Sequence, residues 1–194
     1  MLSCAQHLML LACITTIAMV EGSAFHDAIA ADDAVQLKKL IETFPGGLNE
    51  PDDNGGQTPL MNAVLSGKTE AVRTLLAAGA DTSIGERDGY TPMHGAGFQG
   101  RAEIAKILVD HGLNPSDRHP DGFTPIHRAC WGKEKRHTDT VKVLLEAGVH
   151  PEEPSGRGDT PVKMTQNEKT RELLHYYTHK DRPIPGAGNI KAEL

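Results

Sequence analysis

With 24% charged and 38% hydrophobic side chains, the 194 residues suffice for one globular unit with short appendages. A formal net charge of −6, with no stripe of Lys and Arg, excludes a surface built to displace counterions from nucleic-acid phosphates. Only 4% of the residues are aromatic, which suits thin layers of paired helices filled by Leu, Val, Ile and Ala.

Residues 1–24 stand apart. No Lys or Arg precedes Lys38, and Leu8 to Val20 form an apolar run of thirteen residues, followed by the small residues Gly22-Ser23-Ala24. This is the make-up of a secretory signal peptide cleaved after Ala24, and the run is too short to span a bilayer. Its loss would remove Cys4 and Cys13 and leave Cys130 alone, so no intramolecular disulfide is expected. Residues 25–51 then read as a half-repeat. Ala28, Ala30 and Ala31 make a small first helix, Asp32-Asp33 can cap a second, and Leu37, Leu40 and Ile41 recur at i, i+3 and i+4.

Three full repeats follow, over 52–84, 85–117 and 118–154. Their marker is Gly89-Tyr90-Thr91-Pro92-Met93-His94, with copies at Gly56-Gln57-Thr58-Pro59-Leu60-Met61 and Gly122-Phe123-Thr124-Pro125-Ile126-His127, and a weaker one at Gly158-Asp159-Thr160-Pro161-Val162-Lys163. Thr58 to Thr91 is 33 residues, Thr91 to Thr124 again 33, and Thr124 to Thr160 is 36, the period of a repeat array. Thr before Pro starts a helix, because the hydroxyl can accept from an orphan N–H and Pro gives up a donor that would have had no partner. Gly67 and Gly100 mark the reversal into second helices with core stripes Val72/Leu75/Leu76, Ala105/Leu108/Val109 and Val141/Leu144/Leu145, each closed by a Gly. The longer third interval predicts a longer, basic, solvent-facing turn over Trp131 to Thr138, with Lys133, Lys135 and Arg136 open to an acidic partner.

A half-repeat over 155–178 ends the array, with Leu173 and Leu174 inward and Lys169, Arg171 and Glu172 on a solvated end face. Residues 179–194, with Pro183, Pro185, Gly186 and Gly188, are expected to be a disordered tail. They end in Lys191-Ala192-Glu193-Leu194, similar to a signal for retrieval to the endoplasmic reticulum, although Ala192 departs from the usual acidic residue.

The period and the Thr-Pro-x-His motif at Thr91 to His94 and Thr124 to His127 resemble the ankyrin repeat. The resemblance implies an all-α fold, a helix-turn-helix solenoid with short β-hairpin tips. Met61 and Lys163 replace the motif His at the two ends of the array, while Gly95 and Gly97 predict a soft first helix in the middle repeat. It also implies a protein partner bound on the concave face. Leu65, Phe98 and Trp131 stand 33 residues apart and so align in one apolar column, joined by Tyr90 and Phe123. With Arg128 and Arg136 nearby, this is the composition of an interface hot spot.

No catalytic or cofactor motif stands out. Neither a Ser-centred elbow nor a phosphate-cradling Gly loop is present, and no pair of carboxylates has meaningful spacing. His175 and His179, at i and i+4, could share a metal, but no third ligand has a clear place beside them. The sequence thus predicts a non-enzymatic, monomeric binding module without cofactor or metal, in the endoplasmic reticulum lumen or secreted. Its rival is an enzyme or a regulatory subunit using Cys130 or the His175/His179 pair.

Overall fold

The computed structural model describes residues 24–52 and 55–180, and every element assigned among them is helical. Helix α1 is described over 24–31 and pairs with α2 (Ala34–Thr43), which a 3-10 turn over Pro45–Leu48 follows. Then come the pairs α3 (Pro59–Ser66) with α4 (Thr69–Ala77), α5 (Pro92–Gln99) with α6 (Ala102–Asp110), and α7 (Pro125–Cys130) with α8 (Lys135–Glu146). A short α9 (Pro161–Met164) and α10 (Glu168–His179) close the stack. The leader and the tail expected from the sequence lie outside the described residues, apart from Ala24 at one end and His179 and Lys180 at the other.

Local chemistry explains the boundaries. Asp33 caps α2 by accepting from the backbone N–H groups of Val35 and Gln36. Its neighbour Asp32, in the left-handed region at φ 56°, reaches across and accepts from the Ala71 N–H at 2.8 Å. A side chain of the first pair therefore satisfies an orphan donor at the start of α4, where Lys68 makes no side-chain cap. The first helices end on Gly67 and Gly100 at φ 75° and 67°, where a side chain would be strained. The second helices close with paired bonds such as Gly79 N–H to Leu76 O and Ala80 N–H to Leu75 O.

The core is a ribbon running through the pairs, and the predicted stripes form it. Val72, Leu75, Leu76, Ala105, Leu108, Val141, Leu144 and Leu145 are all buried, whereas Val109 is half-buried and Ile104 and Ile107 take the inward places of α6. At the tips, each hairpin is narrowed to a turn: Glu86 N–H bonds Tyr90 O, His119 N–H bonds Phe123 O, and Ser155 N–H bonds Asp159 O. No strand is assigned among the described residues. Neighbouring tips bond each other directly, Arg87 N–H to Gly55 O and Gly156 N–H to Gly122 O.

The middle first helix packs closely on the next: a Cβ added at Gly97 would lie 2.4 Å from the Pro125 carbonyl oxygen, so the missing side chain is what lets α7 sit against α5. The turn before α8 is longer, as expected: residues 131–134 join α7 to α8, where 67–68 and 100–101 join the earlier pairs. Helix α8 is longer as well, with 12 residues where α4 and α6 have 9. His137 anchors its first turn. It is buried, its Nε2 stands 3.3 Å from Phe98 O, and a Cβ on Gly132 would fall 2.0 Å from its ring.

Candidate functional site

The ends of the first helices and the tips before them line an open pocket of about 270 Å³. Leu65 at the end of α3 forms one wall and Phe98 of α5 the other, with Gly95 between them. The tip before α5 contributes Glu86 and Tyr90, and His94 and Arg128 complete the lining. Gly95 leaves this space open. A Cβ there would come within 3.2 Å of Leu65 Cδ2 and of Met61 Sδ.

Arg128 is the hub. Although charged, it is only 7% exposed, because its guanidinium lies 4.5 Å from the Tyr90 ring, 5.1 Å from Phe123 and 4.4 Å from Trp131. Its Nη2 donates to the Tyr90 hydroxyl at 2.7 Å and to the Asp121 carboxylate, with which it forms an ion pair. Tyr90 in turn donates to Asp121 at 2.9 Å and stacks on His119 at 3.8 Å between centroids. Burial works to raise the Asp121 pKa, but the Phe123 N–H, His119, Tyr90 and Arg128 together hold it well below the usual carboxylate range. Helix α7 and the tips before α5 and α7 are thereby tied into one polar and aromatic seam.

The two motif histidines serve this seam structurally. His127 Nδ1 lies 2.8 Å from the Thr124 hydroxyl and accepts from the Thr124 N–H, while Nε2 donates to Glu153 O at 3.0 Å. His94 Nδ1 is 2.9 Å from the Thr91 hydroxyl, and its Nε2 is buried without a hydrogen-bond partner. Met61 fills the same place in the preceding repeat and is fully buried, so packing takes over from hydrogen bonding there. Burial lowers the pKa of both His94 and His127, with Asp117 partly offsetting it at the first and the Glu153 carbonyl at the second. The native state therefore keeps them neutral, while the unfolded chain takes up protons below about pH 6.5. Stability should be complete above that pH and decline as the pH falls through it toward the lowered native values. A melting temperature lower at pH 5.5 than at 7.5, with the difference reduced in a His94→Gln, His127→Gln variant, is the expected result.

Of the residues singled out in the sequence, Leu65, Tyr90, Phe98 and Arg128 meet at the cavity, and Phe123 and Trp131 lie against Arg128. Phe98 is 54% and Trp131 41% exposed, while Phe123 is buried. Lys133, Lys135 and Arg136 do not line the cavity. Lys135 pairs with Asp139 at 2.6 Å and Arg136 with Glu134 at 3.0 Å, and the Lys133 carbonyl accepts from Asn167. Glu86 was not singled out by sequence reasoning. It falls in the same register of the tips as His119 and Ser155, and that change of character along one register was the available signal.

Neither site of the rival reading gathers further chemistry. Cys130 is fully buried, and burial pushes its thiol up to about 12. The rings of His175 and His179 stand 5.0 Å apart on exposed α10, and no group of three or more His, Cys, Asp or Glu able to hold a metal occurs among the described residues. No described helix is long and apolar enough to cross a membrane.

Comparison with protein families agrees with the geometry. A model described as ankyrin repeats (3 copies) matches residues 79–155, and one described as ankyrin repeats (many copies) matches residues 49–96. No curated protein matches the chain. With the two matches together taking in residues 49–155, and with Thr-Pro helix starts, glycine caps and turn-like tips recurring through the same span, this chain belongs to the ankyrin-repeat family.

Proposed function

We propose that this protein is a non-enzymatic binding module whose partner docks on the concave face at Leu65, Tyr90, Phe98 and Trp131, with Arg128 and Phe123 supporting that face from beneath. Ankyrin repeats are generally protein–protein interaction modules, typically without catalytic activity. The observation that carries the finer reading is the exposure of Phe98 and Trp131 beside an open cavity, while most other large hydrophobic side chains among the described residues are buried. Such rings add little to the fold while they face water and much to association once a partner covers them. Lys133, Lys135 and Arg136 act as a rim that tunes encounter rate, since Asp139 and Glu134 already neutralise two of them. The secretory pathway is the proposed compartment, supported by the apolar run from Leu8 to Val20.

The test is partner capture from the protein's own cells with wild type and Phe98→Ala side by side. Phe98 is the cleaner probe of the two rings, because Trp131 also covers Arg128. Loss of the captured partner in the variant, with the helical spectrum unchanged and a melting temperature within about 2 °C, is the expected result for an exposed residue. Undiminished capture would remove Phe98 from the interface.

A further inference from the structure

We propose that the cavity beside Phe98 receives a basic side chain, an arginine of the partner, whose guanidinium meets the Glu86 carboxylate. This deepens the concave-face reading and rests on it. Among the lining groups only Glu86 and Arg128 are formally charged, and the Arg128 charge is already paired with Asp121, its Nη2 bonding the Tyr90 hydroxyl and its guanidinium lying against three aromatic rings, with its buried Nε left unbonded. Among the described residues Glu86 has no such ion pair. It is half-buried, and its side chain bonds Gln57, which is neutral. Burial, and then the like charge of Asp88, raise its pKa above the ordinary value, and the Gln57 bond only partly offsets them. A carboxylate so placed gains from a cation that would displace its hydration.

The other walls suit the stem of that cation. Leu65 and the absent side chain of Gly95 leave a short apolar channel, and Phe98 and Tyr90 present ring surfaces beside it. Arginine is favoured over a purely apolar side chain because its methylenes cover apolar surface while its planar head stacks on aromatics and pairs with carboxylates. A partner carboxylate would meet the uncompensated charge of Glu86 at the same depth. The excess of acidic groups over the whole chain, with its net charge of −6, also favours a basic approach.

The experiment titrates the full chain with N-acetyl-arginine methylamide, its citrulline analogue of the same shape without the charge, and the glutamate analogue, following backbone amide shifts. Saturable shifts centred on Glu86, Gly95 and Phe98 are expected for the arginine compound. Citrulline should bind about fivefold more weakly, and Glu86→Gln should weaken the arginine compound by about the same factor. Equal affinity for arginine and citrulline, tighter binding of the glutamate compound, an unchanged Glu86→Gln variant, or no saturable shift would each overturn the assignment. The parent reading fails separately. If the arginine compound binds as expected while Phe98→Ala still captures the cellular partner, the docking face is wrong and the basic-chain site stands. If Phe98→Ala loses the partner and citrulline binds as well as arginine, the face stands and the arginine assignment falls.

Discussion

Gly97→Ala is expected to lower the melting temperature by roughly 6–12 °C, the equivalent of about 3 kcal/mol for a chain of this size. Helix propensity alone points the other way, since Ala is favoured over Gly by about 1 kcal/mol in a helix interior. Space decides against it. The added methyl would meet Pro125 at its oxygen at 2.4 Å, its carbonyl carbon at 3.1 Å and its Cα at 3.2 Å. All three are backbone atoms at the start of α7, so no rotamer change relieves the overlap and α7 must move away from α5. That movement would also disturb Arg128, three residues along α7, and with it the seam to Tyr90 and Trp131. Gly95→Ala is the control. Its methyl would meet side-chain rather than backbone atoms, Leu65 Cδ2 and Met61 Sδ at 3.2 Å and Val64 Cγ1 at 3.6 Å, so the loss there should be much smaller. Thermal melts of the two variants beside wild type decide the matter, and a Gly97→Ala protein as stable as wild type would show that the two helices do not pack as described.

These two glycines also show where a sequence stops being legible. Period, helix starts, glycine caps and core stripes could all be read in advance, because each depends on residues a few positions apart on one chain segment. The closeness of α5 to α7 depends on residues 28 apart in sequence, Gly97 and Pro125, and nothing local to Gly97 reveals it. The insertion before α8 was legible as a longer turn, but the added length of α8 itself was not. What decided its form was His137, buried across the neighbouring repeat against Phe98 O and fitted to Gly100 and Gly132. At the candidate site the 33-residue spacing of Leu65 and Phe98 found the walls of the cavity. The burial of Arg128 and Phe123 was not legible, because it depends on rings of adjacent repeats closing over the guanidinium. Glu86 escaped notice because its place in the lining is a property of the assembled tips, which no local pattern around it reveals.

Arg128→Ala is expected to be comparably damaging, by about 2–4 kcal/mol, and to damage through two separable losses. The first is electrostatic. Asp121 keeps its bonds from the Phe123 N–H and from Tyr90 but loses the cation that pairs with it, so a partly buried carboxylate is left undercompensated. The second is packing: the guanidinium fills the space between Tyr90, Phe123 and Trp131, and Ala would leave those rings without their common neighbour. Arg128→Lys separates the two, since it restores a charge for Asp121 but not a planar group that can lie between three rings. Partial recovery in the Lys variant assigns the remainder to stacking. Acid titration of stability gives an independent readout. In wild type the pKa of Asp121 is held down, so its contribution is present above the unfolded value of about 3.9 and is lost as the pH falls below it. Without Arg128 that carboxylate titrates closer to its unfolded value, and the loss of stability between pH 4 and pH 2 should be shallower. If Arg128→Ala melts within about 2 °C of wild type and keeps the same acid slope, the arginine does not bind the repeats together and the seam is held by its rings alone.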